Sequence, residues 1–515
     1  MGEQGAAAGT PLALAATLLA GTILVFYIYQ QLKPSKSRLP GPLFSWPFLG
    51  DTIEFATTDP TKFLFGRFKR YGRVFRLSLL GFTAYVTADP EALRPLLADE
   101  GGHFTIPVQT FTALMGAYNL QAHKEVHAAW RKVLMAALTG SGMAKLVPGV
   151  VAVMGRHVEG WAQAGRVELY EAARTLGLDL AVDVLSGVKL EERGIQPAWL
   201  KSRMADFLGG LYGLPLALPG SPLAKALAAK EELLRVLVPA VEGRQQELLK
   251  LWEDNDRSAA AVATKLASSP ETATIADANL LGFTARGCTT PRDAAMTVLH
   301  AVMGAADTTR FALFNTWAIL AMSPRVQDLI YEEQKKVVAE NGPELTYKTA
   351  MSMPYLDAAF KEAMRLLPAS AGGFRMLTKE LRVGDVLLPP GTIIWFHALL
   401  LQTLDPVLWD GDTSVDVPVH MDWRNNFEGA FRPERWLSEE TKPRSYYIFG
   451  QGAHLCAGMV LVTLEVKLLL AMVLRKWRLQ LEVPDMLARA ELFPYTKPAK
   501  GTGGMRLIAR EQPVA

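Results

Sequence analysis

The chain has 515 residues, of which 50% are apolar, 20% charged and 9% aromatic, enough to build a large core and to exclude a mostly disordered chain. Its 54 basic and 51 acidic residues leave a net charge of +3, a balance that argues against a dedicated nucleic-acid surface. Two cysteines, Cys288 and Cys456, exclude a disulfide-stapled secreted scaffold and a zinc site needing several thiolates.

No charged residue stands between Glu3 and Lys33. The apolar run from about Pro11 to Leu32 gives ~33 Å of helix, enough to cross a ~30 Å hydrocarbon core. Tyr27 and Tyr29 stand near one end, where interfacial aromatics belong, and Lys33, Lys36 and Arg38 follow at once. Basic residues on that flank put the body of the protein in the cytoplasm. A cleaved signal peptide is the rival reading, and the length of the run and the leading Glu3 weigh against it. Residues 1–32 therefore read as a membrane anchor, and 33–45, with Leu39-Pro40-Gly41-Pro42, as a basic, proline-rich hinge. No linker-like composition divides 46–515, which reads as one domain.

The body reads as mainly α with a small β region. Residues 72–79 and 84–87 look like a hairpin around Gly81. Most of 100–380 carries Ala, Leu, Lys and Glu at helical spacing. Within it His127 and Arg131, four apart, share a predicted helix face, with Trp130 alongside. His123 and His127 at the same spacing could share a metal, but a metalloprotease helix needs Glu where Lys124 stands. An apolar helix, a Pro-interrupted crossing and a second amphipathic helix follow over 207–230.

Arg292 to Ala321 reads as one helix of about thirty residues, bounded by Pro291 and by Ser323-Pro324. Its middle, Gly304-Ala305-Ala306-Asp307-Thr308-Thr309, puts an acid and two β-branched alcohols where helices favour neither. Thr308 is expected to return its hydroxyl to the Gly304 carbonyl and distort the helix. The gap leaves room for dioxygen and water, and Asp307 with Thr308 could relay protons as general acids. A wet helix face with two filler threonines is the plain alternative.

Glu362 and Arg365 share one face of the helix that follows Pro354, a spacing worth about 0–1 kcal/mol if exposed. Arg375 follows Gly372-Gly373-Phe374, and short strands are expected over 381–383, 386–388 and 392–396. The polar stretch 410–429 reads as a surface loop. Phe431-Arg432-Pro433-Glu434-Arg435-Trp436 comes next. Cys456 sits in Phe449-Gly450-Gln451-Gly452-Ala453-His454-Leu455-Cys456-Ala457-Gly458, just before a long apolar helix. The glycines let backbone pass close to a bulky planar ligand. Backbone N–H groups at the helix start are expected to lower the thiol pKa, and a thiolate can hold heme iron. A lone cysteine here would read as a small buried hydrophobe.

That loop fits F-x-x-G-x-[RH]-x-C-x-G, and so resembles the heme-ligand loop of the cytochrome P-450 family of heme-thiolate monooxygenases. The resemblance extends over nearly all of 40–512. It implies the P-450 fold and heme b, with Cys456 as the thiolate ligand of the iron, His454 on a propionate, and Phe449 and Gly450 completing the loop. Arg375, Arg131 and His127 fall at further propionate contacts. Residues 304–309 resemble the oxygen-activation motif, with Asp307 and Thr308 as its acid and alcohol and Ala305 where glycine is common. Glu362, Arg365 and Arg435 fit a structural ion-pair triad behind the heme, with Trp436 in place of the commoner phenylalanine. The 410–429 connection is roughly fifteen residues longer than usual. The 207–230 segment resembles a branch of plant steroid, gibberellin and abscisic-acid oxidases and retinoic-acid hydroxylases.

The resemblance implies insertion of one atom of O2 into a lipophilic substrate (terpenoid, sterol or carotenoid-derived), with NADPH electrons delivered by a reductase, for which Lys124 and Lys132 offer a basic docking face. Pocket walls are expected from 104–115, 207–218, 301–305 and 369–374. The expected location is the endoplasmic reticulum membrane with a cytoplasmic catalytic domain, the plastid envelope being the other membrane this allows. Two other readings stay open at this point. One is a reductase-independent heme-thiolate isomerase or lyase of hydroperoxides, which would not need Asp307 and Thr308. The other is a non-catalytic heme or lipid carrier, which NADPH consumption would separate.

Overall fold

The computed structural model describes residues 40–42, 49–79, 82–116, 124–185, 194–211, 215–269, 274–491 and 496–514, together with Gly21 and Val25. The expected anchor and most of the hinge lie outside these residues. Among the described residues no single helix is long and apolar enough to cross a membrane. The hinge residues that are described run along the first strand: Arg76 donates its backbone N–H to Pro40 and a guanidinium N–H to the Pro42 carbonyl.

The strands are β1 (Val74–Leu79), β2 (Phe82–Thr87), β3 (Gly102–Thr105), β4 (Arg166–Glu168), β5 (Gly372–Leu377), β6 (Leu381–Val383), β7 (Val386–Leu388), β8 (Ile393–His397), β9 (Trp477–Leu481) and β10 (Gly504–Ala509). A five-stranded sheet has the order β1-β2-β8-β5-β3, and smaller sheets join β4-β10-β9 and β6-β7. The expected hairpin forms, with Val74 opposite Thr87 and Leu79 opposite Phe82. Strands β6 and β7 form where the alternating pattern put them. The helical reading of 100–380 fails at β3, β4 and β5. At β3 and β5 the glycines that look like breakers serve close packing instead, while Gly165 before β4 ends its helix in a left-handed cap. A Cβ on Gly372, whose φ is +109°, would fall within 1.9 Å of the Phe396 carbonyl oxygen on β8.

Helices make up most of the rest. The central one, Pro291–Ala321, starts at a capping box between Thr290 and Asp293 with Pro291 in its first turn. It is buried along nearly its whole length, and Leu169–Leu180 crosses it so closely that a Cβ on Gly177 would come within 2.7 Å of the Ala306 carbonyl oxygen. One contiguous apolar cluster runs from Phe55 to Leu507.

The predicted triad is assembled on the helix Pro354–Leu366. Glu362 and Arg365 are fully buried. Arg365 donates two parallel bonds to Glu362, both 2.9 Å, and Arg435 donates a third to the same carboxylate at 3.0 Å. Trp436 is more than a mild substitution, because its indole N–H donates to Glu362 Oε2 at 2.9 Å, a bond phenylalanine cannot make. The reading of 410–429 as a surface loop needs correction. His420, Met421 and Trp423 are buried, and Arg365 donates to the His420 carbonyl and to Met421 Sδ. The apolar side chains scattered in this polar stretch are what draw it inward.

Candidate active site

The Cys456 loop is shaped by two left-handed glycines, Gly450 at φ +69° and Gly452 at φ +70°. Gly452 lies against the end of the helix Pro90–Leu97, where a Cβ would meet the Leu97 carbonyl oxygen. Cys456 N–H donates back to the Phe449 carbonyl at 2.8 Å, and the Phe449 ring packs on Tyr446. The chain then enters the helix Met459–Leu474. The Cys456 side chain is accessible yet surrounded by protein at longer range, so it faces an internal cleft. The expected drop in its pKa does not occur in the protein alone. Burial raises the thiol, outweighing the N–H groups of Gly458 and Met459 and the charge of Arg131. A coordinated cation is what deprotonates a thiol in such a place.

Four cationic or imidazole groups converge beside the loop. The His127 and His454 rings pack with centroids 4.2 Å apart, tilted by 33°. Arg131 reaches over to donate to the Leu455 carbonyl at 2.6 Å. Arg375, fully buried on β5, donates to the Leu96 and Phe374 carbonyls. Burial lowers both arginines, Arg375 to about 10. Burial and the neighbouring cations push His127 and His454 down to about 4. The one carboxylate among them is Asp99, bonded to His454 Nε2 at 2.9 Å and 3.9 Å from Arg375. His127 Nε2, His454 Nδ1 and Asp99 Oδ1 are buried without a hydrogen-bond partner. Two guanidinium groups, two imidazoles and a single carboxylate make a site short of anions. That donor set, beside a thiol in a cleft, fits heme with its two propionates.

Asp99 was not legible from sequence. It takes a left-handed φ of 58° just after a helix, with no motif around it. Trp130, next to Arg131, packs its ring on His127 with centroids 5.3 Å apart and donates its indole N–H to Asn279 at 2.9 Å. His123 lies outside the described residues. Among those residues no group of three or more His, Cys, Asp or Glu converges on a metal position.

Thr308 behaves as its sequence suggests, donating to the Gly304 carbonyl at 2.8 Å. It faces a cavity of about 1020 Å³ together with Phe311 and Asn315, one helix face at three- and four-residue spacing. That face replaces the expected 301–305 wall. Pro107, Leu211, Pro215 and 369–372 line the cavity as expected, while the first helices, β8 and the 410–429 connection supply walls the sequence did not suggest. Asp307 lies about 100° round the helix from Thr308. It is buried behind the cavity and paired with Arg310 at 3.2 Å.

Glu465, also missed, is buried on the helix after Cys456 and accepts from Thr309 Oγ1 at 3.2 Å. Burial pushes its pKa up to about 8. The folded state therefore holds a proton that the unfolded chain releases near pH 4.3, so stability falls as pH rises from there to about 8. Glu465→Gln is expected to remove one proton from that slope, about 1.4 kcal/mol per pH unit, and to gain on the wild type as pH rises. Thermal midpoints between pH 5 and 8 that move in parallel for both proteins would refute this.

The comparisons agree with this geometry. The Cytochrome P-450 family model matches residues 39–197, 200–411 and 429–498. Abscisic acid 8'-hydroxylase 1 of Arabidopsis thaliana is 24% identical over 468 residues, 89% of this chain and 90% of that protein. Cytochrome P-450 26C1 of Homo sapiens is 27% identical over 535 residues, 96% of this chain and 94% of that protein. A solved structure, retinoic acid bound cyanobacterial CYP120A1, superposes with a TM-score of 0.71 at 22% identity, covering 92% of this chain and 100% of its own, a likeness of fold. With the family match spanning most of its length and a loop cysteine facing a cleft beside clustered cations, the chain belongs to the cytochrome P-450 family, enzymes that hold heme iron through a cysteine thiolate.

Proposed function

We propose that this protein is a membrane-anchored monooxygenase that inserts one atom of O2 into a C–H bond of a lipophilic terpenoid, sterol or carotenoid-derived molecule, with electrons from NADPH delivered by a reductase. One observation carries the reading: an accessible cysteine in a glycine-shaped loop stands beside a cluster of two guanidinium groups and two imidazoles, and the Thr308 side chain of the central helix lines a large, mostly apolar cavity. Relatives named as an abscisic acid 8'-hydroxylase and a 3-epi-6-deoxocathasterone 23-monooxygenase support it. Heme, when bound, supplies the oxygen chemistry. Cys456 is the residue that would hold its iron. Arg131, Arg375, His454 and His127 would hold its carboxylates, with Phe449 and Gly450 shaping the loop. Residues 1–32 would anchor the chain, and exposed Lys124 and Lys132 would meet the reductase.

The chain's own part in the reaction is to deliver protons and exclude water. The Thr308 hydroxyl is parked on the Gly304 carbonyl and can turn its donor into the cavity. Asp307, one residue before Thr308 and held by Arg310 three residues further on, is a proton source that a side-chain rotation brings forward. Thr308→Ala is expected to keep consuming NADPH and O2 while product falls about tenfold and hydrogen peroxide rises in its place. Peroxide and product measured per NADPH decide this, and an unchanged ratio would remove Thr308 from the relay. The function itself is tested with the detergent-solubilised full chain, a purified NADPH-dependent reductase and a panel of terpenoid and sterol substrates. The expected results are a red-shifted Soret band in the reduced, carbon-monoxide-bound protein and oxygenated product that requires NADPH. Folded, heme-supplied protein without that band overturns the reading.

A further inference from the structure

The 410–429 connection does more than lengthen a loop. The family match stops at residue 411 and resumes at 429, so the intervening residues are outside the common pattern. Two of them, Trp423 and Arg424, line the cavity that holds Thr308. The Arg424 guanidinium lies over the Trp423 ring, 4.3 Å from its centroid, and pairs through Nη1 with the Asp59 carboxylate. Its side chain is about one-fifth exposed. Among the described residues that line the cavity, no other is an Asp, Glu, Lys or Arg.

Uncommitted polar atoms stand in the same wall. His397, buried on β8, has no hydrogen-bond partner at either ring nitrogen, and neither Trp395 Nε1 nor Asn315 Oδ1 has one. Buried polar atoms are normally satisfied, and these unsatisfied ones sit on side chains that line the cavity, where a ligand with oxygens of its own would supply the missing partners. His397 packs on Phe55, and Asp59, the partner of Arg424, lies four residues further on, a span of at most ~14 Å. The cation and the imidazole thus enter the cavity from neighbouring walls. Burial pushes His397 down to about 3, so it stays neutral and offers one donor and one acceptor.

We propose that Arg424, with His397 and Trp395 in the same cavity lining, makes this cavity select apolar molecules that end in a carboxylate, over the matching esters and alcohols. The guanidinium has five N–H donors in a planar fork, and Asp59 engages one end of it. A carboxylate can pair with the remaining donors at the margin of an otherwise apolar space, where such a bond is stronger than in water. The Trp423 ring holds the guanidinium flat, limiting the ordering cost on binding. Asp59 is both counter-ion and helix cap, accepting from Lys62 N–H at 2.8 Å. It therefore sets how much of the positive charge a ligand meets.

The proposal rests on the monooxygenase reading for its substrate, but its test does not depend on turnover. Retinoic, abietic and linoleic acids, each with its methyl ester and primary alcohol, are titrated against the full chain. Binding is followed by the heme spectral shift and, separately, by quenching of tryptophan emission, since Trp395 and Trp423 line the cavity. At least one acid is expected to bind about tenfold more tightly than its ester and alcohol. Arg424→Gln should weaken that acid by about tenfold and leave the ester within about twofold. Asp59→Asn keeps a good helix cap while removing the counter-ion, and should tighten the acid severalfold. Equal losses for acid and ester in Arg424→Gln, no acid preference in any series, or no acid binding at all overturns the proposal. If Arg424→Gln does not fold, an unchanged acid affinity in Asp59→Asn overturns it equally. A heme spectrum of the wrong ligation would instead count against the monooxygenase reading, and the tryptophan titrations would still answer for Arg424.

Discussion

Cys456→Ser is expected to lose the red-shifted Soret band of the reduced, carbon-monoxide-bound protein and all NADPH-dependent oxygenation, while its fold survives. The argument rests on what holds the loop. Gly450 and Gly452 set its path with left-handed torsions, Gly452 closes on the Leu97 carbonyl, and Cys456 itself is tied through its backbone N–H to Phe449. None of these bonds uses the sulfur, so exchanging it for a hydroxyl should shift stability by no more than about 1 kcal/mol. The chemistry changes much more. A serine hydroxyl ionises far less readily than a thiol and lacks the electron donation that favours O–O cleavage. Cys288 is no part of this loop: it lies in the turn after the helix Ile275–Thr284, with its backbone N–H on the Phe283 carbonyl. A thiolate-type band that persisted in Cys456→Ser would move the iron ligand to another residue. A variant that failed to fold would show that the sulfur carries structural weight the loop geometry does not suggest.

What could be read from sequence was whatever is written in local spacing. The central helix, its Thr308 bond to Gly304, the hairpin at β1 and β2 and the strands β6 and β7 are short-range features, and each follows from residues within a turn or two. The residues of the cationic cluster were legible only through motif resemblance, because the helix with His127 and Arg131, the strand with Arg375 and the loop with His454 are three separate segments. Asp99 and Glu465 left no such trace. Each owes its role to a partner far along the chain: Asp99 to His454, Glu465 to Thr309. The 410–429 connection misled for a related reason. Its polar composition is that of a loop, but Met421 and Trp423 carry enough apolar surface to fold inward once Arg365 and the cavity are there to receive them. Spacing did reveal that Glu362 and Arg365 share a face. It could not tell whether that face was wet, and burial changes the energetic weight of the pair from negligible to large.

That weight gives the second large effect. Glu362→Ala is expected to leave little or no folded, heme-containing protein. The carboxylate accepts two bonds from Arg365, one from Arg435, one from the Trp436 indole and one from the Arg432 backbone N–H. Its removal strands a fully buried guanidinium beside a second, Arg435, that burial has already lowered to about 10. Breaking a buried pair on one side costs about 3–5 kcal/mol, and two further donors lose their acceptor here. That loss is comparable with the whole stability of a typical domain, about 5–15 kcal/mol. Arg365→Lys should also be damaging although it keeps the charge, because one ammonium cannot reproduce a fork that spans both Glu362 oxygens and the His420 and Ala430 carbonyls. Met421→Leu is the contrasting case. It removes the sulfur that accepts from Arg365 Nη1 but keeps the volume, and it should cost less than about 1.5 kcal/mol. Heme incorporation and denaturant midpoints across the three variants test the order. A Glu362→Ala protein within about 1 kcal/mol of wild type would mean that the buried cations find other acceptors, and that the triad is not what holds the scaffold behind Cys456.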